Sequence, residues 1–273
     1  MTPTPETHRP ENLQPDGRAA GLAYLSGGQG RPIVAVHGAF ASRNWMRPLV
    51  STPPSGWQVI APSLPGYAGS LDAATEPTIP AFADALERFI AALGLDRPVL
   101  LGHSLGGAVV LETASRHLEN YRAVVTVSGP PLDGFPHNAA FDEMRQRCQT
   151  DRTLLRTVLA AQAPGLDAAG LEAMGFEALL DDAQAMHDDW YSGPARALGE
   201  WNITGRAAAL SRLPMLVLSG SRDPLVLPDF TRKLAGQLPH ARLAWVEGAG
   251  HWALQERETE FRQLLDGFLA AVA

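Results

Sequence analysis

Short apolar runs alternate with amphipathic stretches along most of the chain. Arg31-Pro32-Ile33-Val34-Ala35-Val36, Trp57 to Ala61, Pro98 to Leu101, Ala123 to Val127, Met215 to Leu218 and Arg242 to Val246 are too short for helices and too continuously apolar for strands with one wet face. Each predicts a buried strand. Gly21 to Ser26 predicts an early edge strand, followed by a turn at Gly27-Gly28-Gln29-Gly30. Between these runs the period changes to that of a helix. Thr78 to Leu93 places Ile79, Phe82, Ala83, Leu86, Phe89, Ile90 and Leu93 on one face, with Pro80 near the start and Gly94 past the end. Ser42 suits the cap of a helix reaching about Leu49. Leu105, Ala108, Val109, Leu111 and Ala114 carry another, and Trp252 to Val272 closes the chain with a stripe of Phe261, Leu264, Leu265, Phe268 and Val272. Alternation of this kind predicts an α/β protein with a mostly parallel sheet covered on both faces.

One stretch breaks the alternation. From about Pro131 to Leu210 helical patterns follow one another with no convincing strand, which predicts an inserted helical cap. The organisation expected is therefore a flexible tail over residues 1–20, a core over 21–130 and 211–273, and a cap over 131–210. Most of the cap's apolar residues, among them Met144, Leu155, Leu159, Phe176 and Trp190, should pack its own interior, and a few should line a pocket against the sheet.

Composition narrows the function. A chain of 273 residues can bury a large core without disulfides or metals, and its one cysteine, Cys148, permits no internal disulfide. No Cys/His cluster has zinc spacing, so no metal is expected. A net charge of -7 argues against nucleic acid as partner. The densest basic group, Arg145, Arg147, Arg152 and Arg156, reads as a solvated helix face. Met1 to Arg18 has no apolar signal region, and no window approaches a membrane span, so a soluble cytoplasmic protein without membrane partners is expected. The sequence leaves the oligomeric state open.

The candidate chemistry sits where the run Val99-Leu100-Leu101 breaks into Gly102-His103-Ser104-Leu105-Gly106-Gly107. Gly102, Ser104 and Gly106 form G-x-S-x-G between a predicted strand and a predicted helix, the context of a nucleophile elbow. A serine hydroxyl needs a histidine base, and that histidine needs an acid to fix its tautomer. Two loops after later strands supply them: Gly220-Ser221-Arg222-Asp223-Pro224 and Gly248-Ala249-Gly250-His251-Trp252. The order Ser104, Asp223, His251 is that expected for such an elbow. Asp133, after an earlier strand, is the reserve acid. Oxyanion donors are expected from the Leu105 N-H at the helix start and the Ala39 N-H after His37-Gly38, with Phe40 as second choice. Phe40, His103, Trp190 and Trp252 are expected around the substrate. His37 should brace the active-site loops, and His187 reads as a solvated helix end. His8, His117, His137 and His240 have no motif context.

These pieces, with Leu64-Pro65-Gly66-Tyr67, resemble the α/β-hydrolase superfamily from about Gly21 to the C-terminus. The resemblance implies an eight-stranded, mostly parallel sheet, a helical cap after the sixth strand, a Ser-His-Asp triad and no cofactor. Members often carry aspartate before the Leu-Pro-Gly loop, where this chain has Ser63. A serine at the elbow disfavours dehalogenase and epoxide hydrolase chemistry, which in this superfamily use aspartate there. A hydrolase of a small to medium apolar ester or related acyl compound is expected. Hydrolysis of a carbon-carbon bond is the alternative, with a lyase, a cofactor-free oxygenase or a ligand-binding protein more distant.

Overall fold

The computed structural model of the protein describes residues 17–72 and 75–273. Its eight strands form one sheet: β1 Gly17–Ala19, β2 Leu22–Gly28, β3 Arg31–Val36, β4 Trp57–Pro62, β5 Val99–His103, β6 Ala123–Val127, β7 Met215–Gly220 and β8 Arg242–Val246. Their spatial order is β1-β2-β4-β3-β5-β6-β7-β8. The pairs β1/β2 and β2/β4 are antiparallel, and β4, β3, β5, β6, β7 and β8 run parallel. The expected sheet is therefore present. Parallel strands bring their C-terminal ends to one edge, and β3, β5, β7 and β8 all deliver candidate residues there.

The expected tail is too long. Gly17, Arg18 and Ala19 pair with Tyr24, Ala23 and Leu22 across a turn at Ala20 and Gly21, both at positive φ. Arg18 secures that turn by donating to the carbonyls of Gly21 and Gly69. Residues 1–16 of the expected tail, His8 among them, lie outside the described residues.

Helices α1 Arg47–Ser51, α2 Ile79–Ala92 and α3 Leu105–Arg116 connect the first strands. The α2 helix is the one its stripe predicts, with the Thr78 hydroxyl accepting from the Ala81 N-H at 3.3 Å. The helix expected from Ser42 divides in two. Ser42 caps a short 3-10 turn, Arg43–Met46, and α1 starts anew with Pro48 in its first turn. The closing helix also divides, into α11 Ala253–Glu256 and α12 Glu258–Val272, because Arg257 leaves helical geometry at φ -141° and ψ 57°. Helix α10, Pro228–Gln237, covers the sheet between β7 and β8.

Between β6 and β7 the described residues contain helices and no strand: α4 Ala139–Arg147, α5 Arg152–Ala160, α6 Ala168–Ala173, α7 Phe176–Gln184, α8 Gly193–Glu200 and α9 Ala207–Leu210. Directional anchors tie this insertion to the sheet. The Trp190 Nε1-H donates to the Pro65 carbonyl at 2.6 Å and the His187 N-H to Gly66 at 2.9 Å. Asp182 accepts from the Ser42 hydroxyl and, at 2.8 Å, from Asn44 Nδ2. Glu112 of α3 accepts from Trp201 Nε1 at 3.1 Å. Gly66, at φ +79°, is the residue over which the Trp190 indole lies, where any Cβ would collide with the ring. No helix among the described residues is long and apolar enough to cross a membrane.

Candidate active site

Ser104 stands between β5 and α3 at φ +53° and ψ -118°, a conformation that costs a non-glycine residue about 1–3 kcal/mol. The turn is held by the Ser104 N-H donating to Val127 at 2.9 Å and the Gly107 N-H donating back to Ser104 at 2.8 Å. Its flanking glycines are required by close backbone approach. A Cβ on Gly102 would strike the Gly106 carbonyl, and one on Gly106 would lie 2.5 Å from the Val36 carbonyl and 2.6 Å from that of His37. The turn therefore presses α3 against the end of β3, and the His37-Gly38 loop against Ser104.

Asp223 and His251 lie beyond β7 and β8 and are each 2% exposed. Asp223 Oδ2 is 2.8 Å from His251 Nδ1, and its Oδ1 accepts from the backbone of Leu225 at 2.9 Å and Val226 at 2.8 Å. Burial alone would raise the Asp223 pKa, but His251, the Leu225 N-H and the Ser128 hydroxyl outweigh it and hold the carboxyl below its ordinary range. An ionised Asp223 makes His251 Nδ1 the donor, so Nε2 of the neutral ring is free to accept a proton. The loops are locked to each other, since a Cβ on Gly220 would meet the carbonyls of Ala249 and Gly250. The His251 N-H donates to the Gln162 carbonyl of the insertion at 2.8 Å.

The reserve acid is elsewhere. Asp133 bonds Lys233 at 2.5 Å and Gln237 at 2.9 Å, away from His251. His103 and His37 cannot serve as bases for a different reason. His103 Nε2-H donates to the His251 carbonyl at 2.9 Å, its ring stacks on Trp45, and burial, which leaves Nδ1 without a hydrogen-bond partner, lowers its pKa to about 3. His37 Nε2 accepts from the Leu64 N-H at 3.0 Å, so Nδ1 holds the proton and donates to Gly38 at 2.7 Å. Burial lowers its pKa to about 4. It ties the Gly38 loop to the Leu64 loop, as a bracing residue would.

Ser63 is fully buried before that loop. Its hydroxyl accepts from the Arg43 N-H at 3.0 Å, and its carbonyl accepts from the Ser70 hydroxyl at 3.0 Å. A neutral acceptor thus organises the turn at the position where members of the superfamily often carry aspartate.

Ser104 and His251 line one cavity with Ala39, Phe40, Leu105, His103 and Trp252. Its wall is mostly apolar, with Ser104 and His251 as convergent polar groups, the setting of a small-molecule site. Trp190 was expected here and is not part of it. Its indole is buried against Gly66 and Phe82 and spends its N-H on Pro65, because it clamps the insertion to the core. His187 is exposed, and its ring meets the edge of Trp190 at 5.1 Å. His117 and His240 are exposed, while His137 reaches the cavity wall and pairs with Asp142 at 2.7 Å. Among the described residues no group of three or more His, Cys, Asp or Glu side chains is arranged to hold a metal ion.

Two residues with a bearing on the site escaped the sequence reading. Glu256 accepts from the N-H groups of Gly250, Trp252 and Gly165, at 2.7 to 3.1 Å, and so fixes the loop that carries His251. Arg145 is not solvated: it is 7% exposed and lines the cavity. Its signal was its place in the stripe Phe141, Arg145, Cys148, at the spacing of one helix face. Arg147 is exposed, and Arg152 and Arg156 pair with Glu177, as a solvated face requires.

Known proteins share this architecture. The chain is 28% identical to a 2-hydroxymuconate semialdehyde hydrolase of Pseudomonas sp. (strain CF600) over 96% of each chain. It is 28% identical to a non-heme chloroperoxidase of Kitasatospora aureofaciens, over 84% of this chain and 88% of the other. The solved enol-lactonase of Burkholderia xenovorans LB400 superposes with a TM-score of 0.79 at 19% identity, covering 94% of this chain and 100% of that one, and shares the fold. A family model described as the alpha/beta hydrolase family matches residues 33–264, and with the sheet order above this makes the chain a member of that family.

Proposed function

We propose that the protein is a serine hydrolase that cleaves a small to medium, largely apolar acyl compound through an acyl-enzyme. The observation that carries this reading is the Asp223-His251 pair at 2.8 Å, opening on the same cavity as a serine held at positive φ. Ser104 Oγ attacks the carbonyl carbon while His251 Nε2 takes the hydroxyl proton. Asp223 keeps the proton on Nδ1 and stabilises the imidazolium. The oxyanion is held by the N-H of Leu105, at the positive end of α3, and by that of Ala39, with Phe40 as the second choice. The imidazolium then returns the proton to the leaving group. Water, deprotonated by His251, releases the acid and regenerates Ser104. The helical insertion acts as the cap that closes the cavity over the small-molecule substrate.

A second reading is favoured by the relative that is a 2-hydroxymuconate semialdehyde hydrolase. The same serine and histidine would then cleave a carbon-carbon bond next to a ketone. Product analysis separates the readings, since an ester yields an acid and an alcohol whereas the ketone yields two carbon fragments. Both require Ser104. A fluorophosphonate probe should label it at neutral pH, and Ser104→Ala should abolish labelling and lower kcat by about a million-fold. A variant that keeps a tenth of the turnover removes Ser104 as the nucleophile.

A further inference from the structure

Arg145 places a full positive charge in the wall of the cavity that holds Ser104 and His251. Its Nε-H donates to the Tyr191 carbonyl at 2.8 Å, and among the described residues this is its one hydrogen bond. The guanidinium carbon lies 4.4 Å from the centre of the Phe40 ring and 5.5 Å from that of Phe141. No carboxylate stands within ion-pair distance of it among the described residues. Asp142, on the same helix, is bonded to His137 at 2.7 Å and lies 3.8 Å from Arg196, and it reaches Arg145 only as a more distant countercharge. Asp223 spends both oxygens on His251, Leu225 and Val226. The buried Tyr67 hydroxyl, within electrostatic range of the guanidinium, also lacks a hydrogen-bond partner.

A buried cation without a counter-anion is unfavourable, and burial here presses the Arg145 pKa down from its ordinary value. The cation-π contact with Phe40 offsets only part of that cost. A side chain needed only to fill the stripe between Phe141 and Cys148 would do so better as Leu or Met. A guanidinium offers five donors, and the terminal ones match the two oxygens of a carboxylate. Phe40, whose ring carries the guanidinium, belongs to the loop beside Ser104, so charge and scissile carbonyl meet in one cavity.

We propose that Arg145 is the specificity residue of this site and that the substrate bears a carboxylate, bound by the terminal guanidinium nitrogens while Ser104 takes the carbonyl a short chain away. This rests on the serine hydrolase reading and names its substrate class: anionic acyl compounds, with the apolar cavity wall enclosing the chain between carboxylate and carbonyl.

The test compares kcat/KM for 4-nitrophenyl hemiadipate with that for its neutral isostere, 4-nitrophenyl 6-methylheptanoate. The wild type should prefer the anionic ester by about 10-fold or more, as hydrogen bonds to charged groups imply. In Arg145→Met the ratio of the two constants should fall by about 30-fold, and Arg145→Lys should recover part of it. A ratio is insensitive to a fraction of misfolded enzyme. A wild type that prefers the neutral ester, or an Arg145→Met ratio within about threefold of wild type, overturns the assignment. Should both esters prove poor substrates, protection of Ser104 from the fluorophosphonate by 4-phenylbutyrate, against 4-phenylbutyramide, gives the same comparison without turnover. The anion should protect at about 10-fold lower concentration in wild type and lose that advantage in Arg145→Met; equal protection in wild type overturns it. Failure of the hydrolase reading is separate, seen as no labelling of Ser104 at all.

Discussion

The loops at the sheet edge and the helices that cover them are fastened by different means. At the edge, backbone packs on backbone: Gly102 on Gly106, Gly106 on Val36 and His37, Gly220 on Ala249 and Gly250. The insertion is attached mainly by side chains, with Trp190 on Pro65, Asp182 on Ser42 and Asn44, and Trp201 on Glu112, and by two backbone bonds, His187 to Gly66 and His251 to Gln162. Backbone contacts at these distances leave no room for a methyl group, so the geometry of Ser104, Asp223 and His251 has little freedom to drift. Side-chain anchors can be exchanged one at a time. Under the proposed function, bond-breaking geometry and substrate choice would then reside in parts of the molecule with different tolerance for change, with Arg145 in the tolerant part.

The sharpest way to break the comparison is at Asp223. Its Oδ1 accepts two backbone N-H groups, so in Asp223→Asn the amide oxygen must stay there and the NH2 must face His251 Nδ1. That forces the ring proton onto Nε2 and removes the base. The expected outcome is a fall in kcat of about 10⁴-fold with only a small drop in the thermal midpoint, since the folded chain loses a favourably held carboxylate. A loss of stability in step with activity would mean that Asp223 serves the fold instead.

A second prediction concerns acid, and its weight falls on the edge. His103 and His37 have folded pKa values of about 3 and about 4, below the value near 6.5 of an unfolded histidine. The unfolded chain therefore binds more protons between those values, and stability present above pH 6.5 is lost as pH falls toward 4. With two such groups the slope approaches about 2.7 kcal/mol per pH unit near pH 5. Asp223, held low, adds its own loss only as pH falls below the ordinary carboxylate range. Urea unfolding at half-unit steps from pH 7 to 4.5 measures the slope, and His103→Gln should remove about half of it. A flat profile would show that neither histidine is buried neutral.

The smallest effect is expected at the insertion. Trp190→Phe leaves the Pro65 carbonyl without its donor while keeping an aromatic ring over Gly66. Stability should drop by about 1 kcal/mol, a shift of about 2–4 °C in Tm. An unchanged midpoint would mean that the insertion does not rely on this clamp.

Legibility in the sequence followed the strength of local patterns. Helix α2 and strand β6 end where their apolar residues end, since a full stripe or a buried run specifies both element and face, whereas β8 has the expected span but lies at the sheet edge with Arg242 and Leu243 exposed. Helix α10 buries only Thr231 and Leu234, too thin a stripe to register. The break at Arg257 was invisible, because it depends on Glu256 turning back to the amides of Gly250 and Trp252. Trp190 and Arg145 were misplaced for one shared reason. Each was read from its own chemistry, an aromatic suited to a pocket and a cation suited to water, while its surroundings come from residues distant in the chain.

By itself, the sequence determined the alternation of strands and helices, the glycines that a tight turn at Ser104 requires, and the order of Ser104, Asp223 and His251. Those are local matters of period, backbone freedom and loop position. Only the tertiary structure decided that Asp223 rather than Asp133 reaches His251, that His103 is spent on a carbonyl, and that Arg145 is drawn inward beside Phe40. Each of these depends on which loops meet at the edge of the sheet, and a parallel sheet brings together loops that lie far apart in sequence.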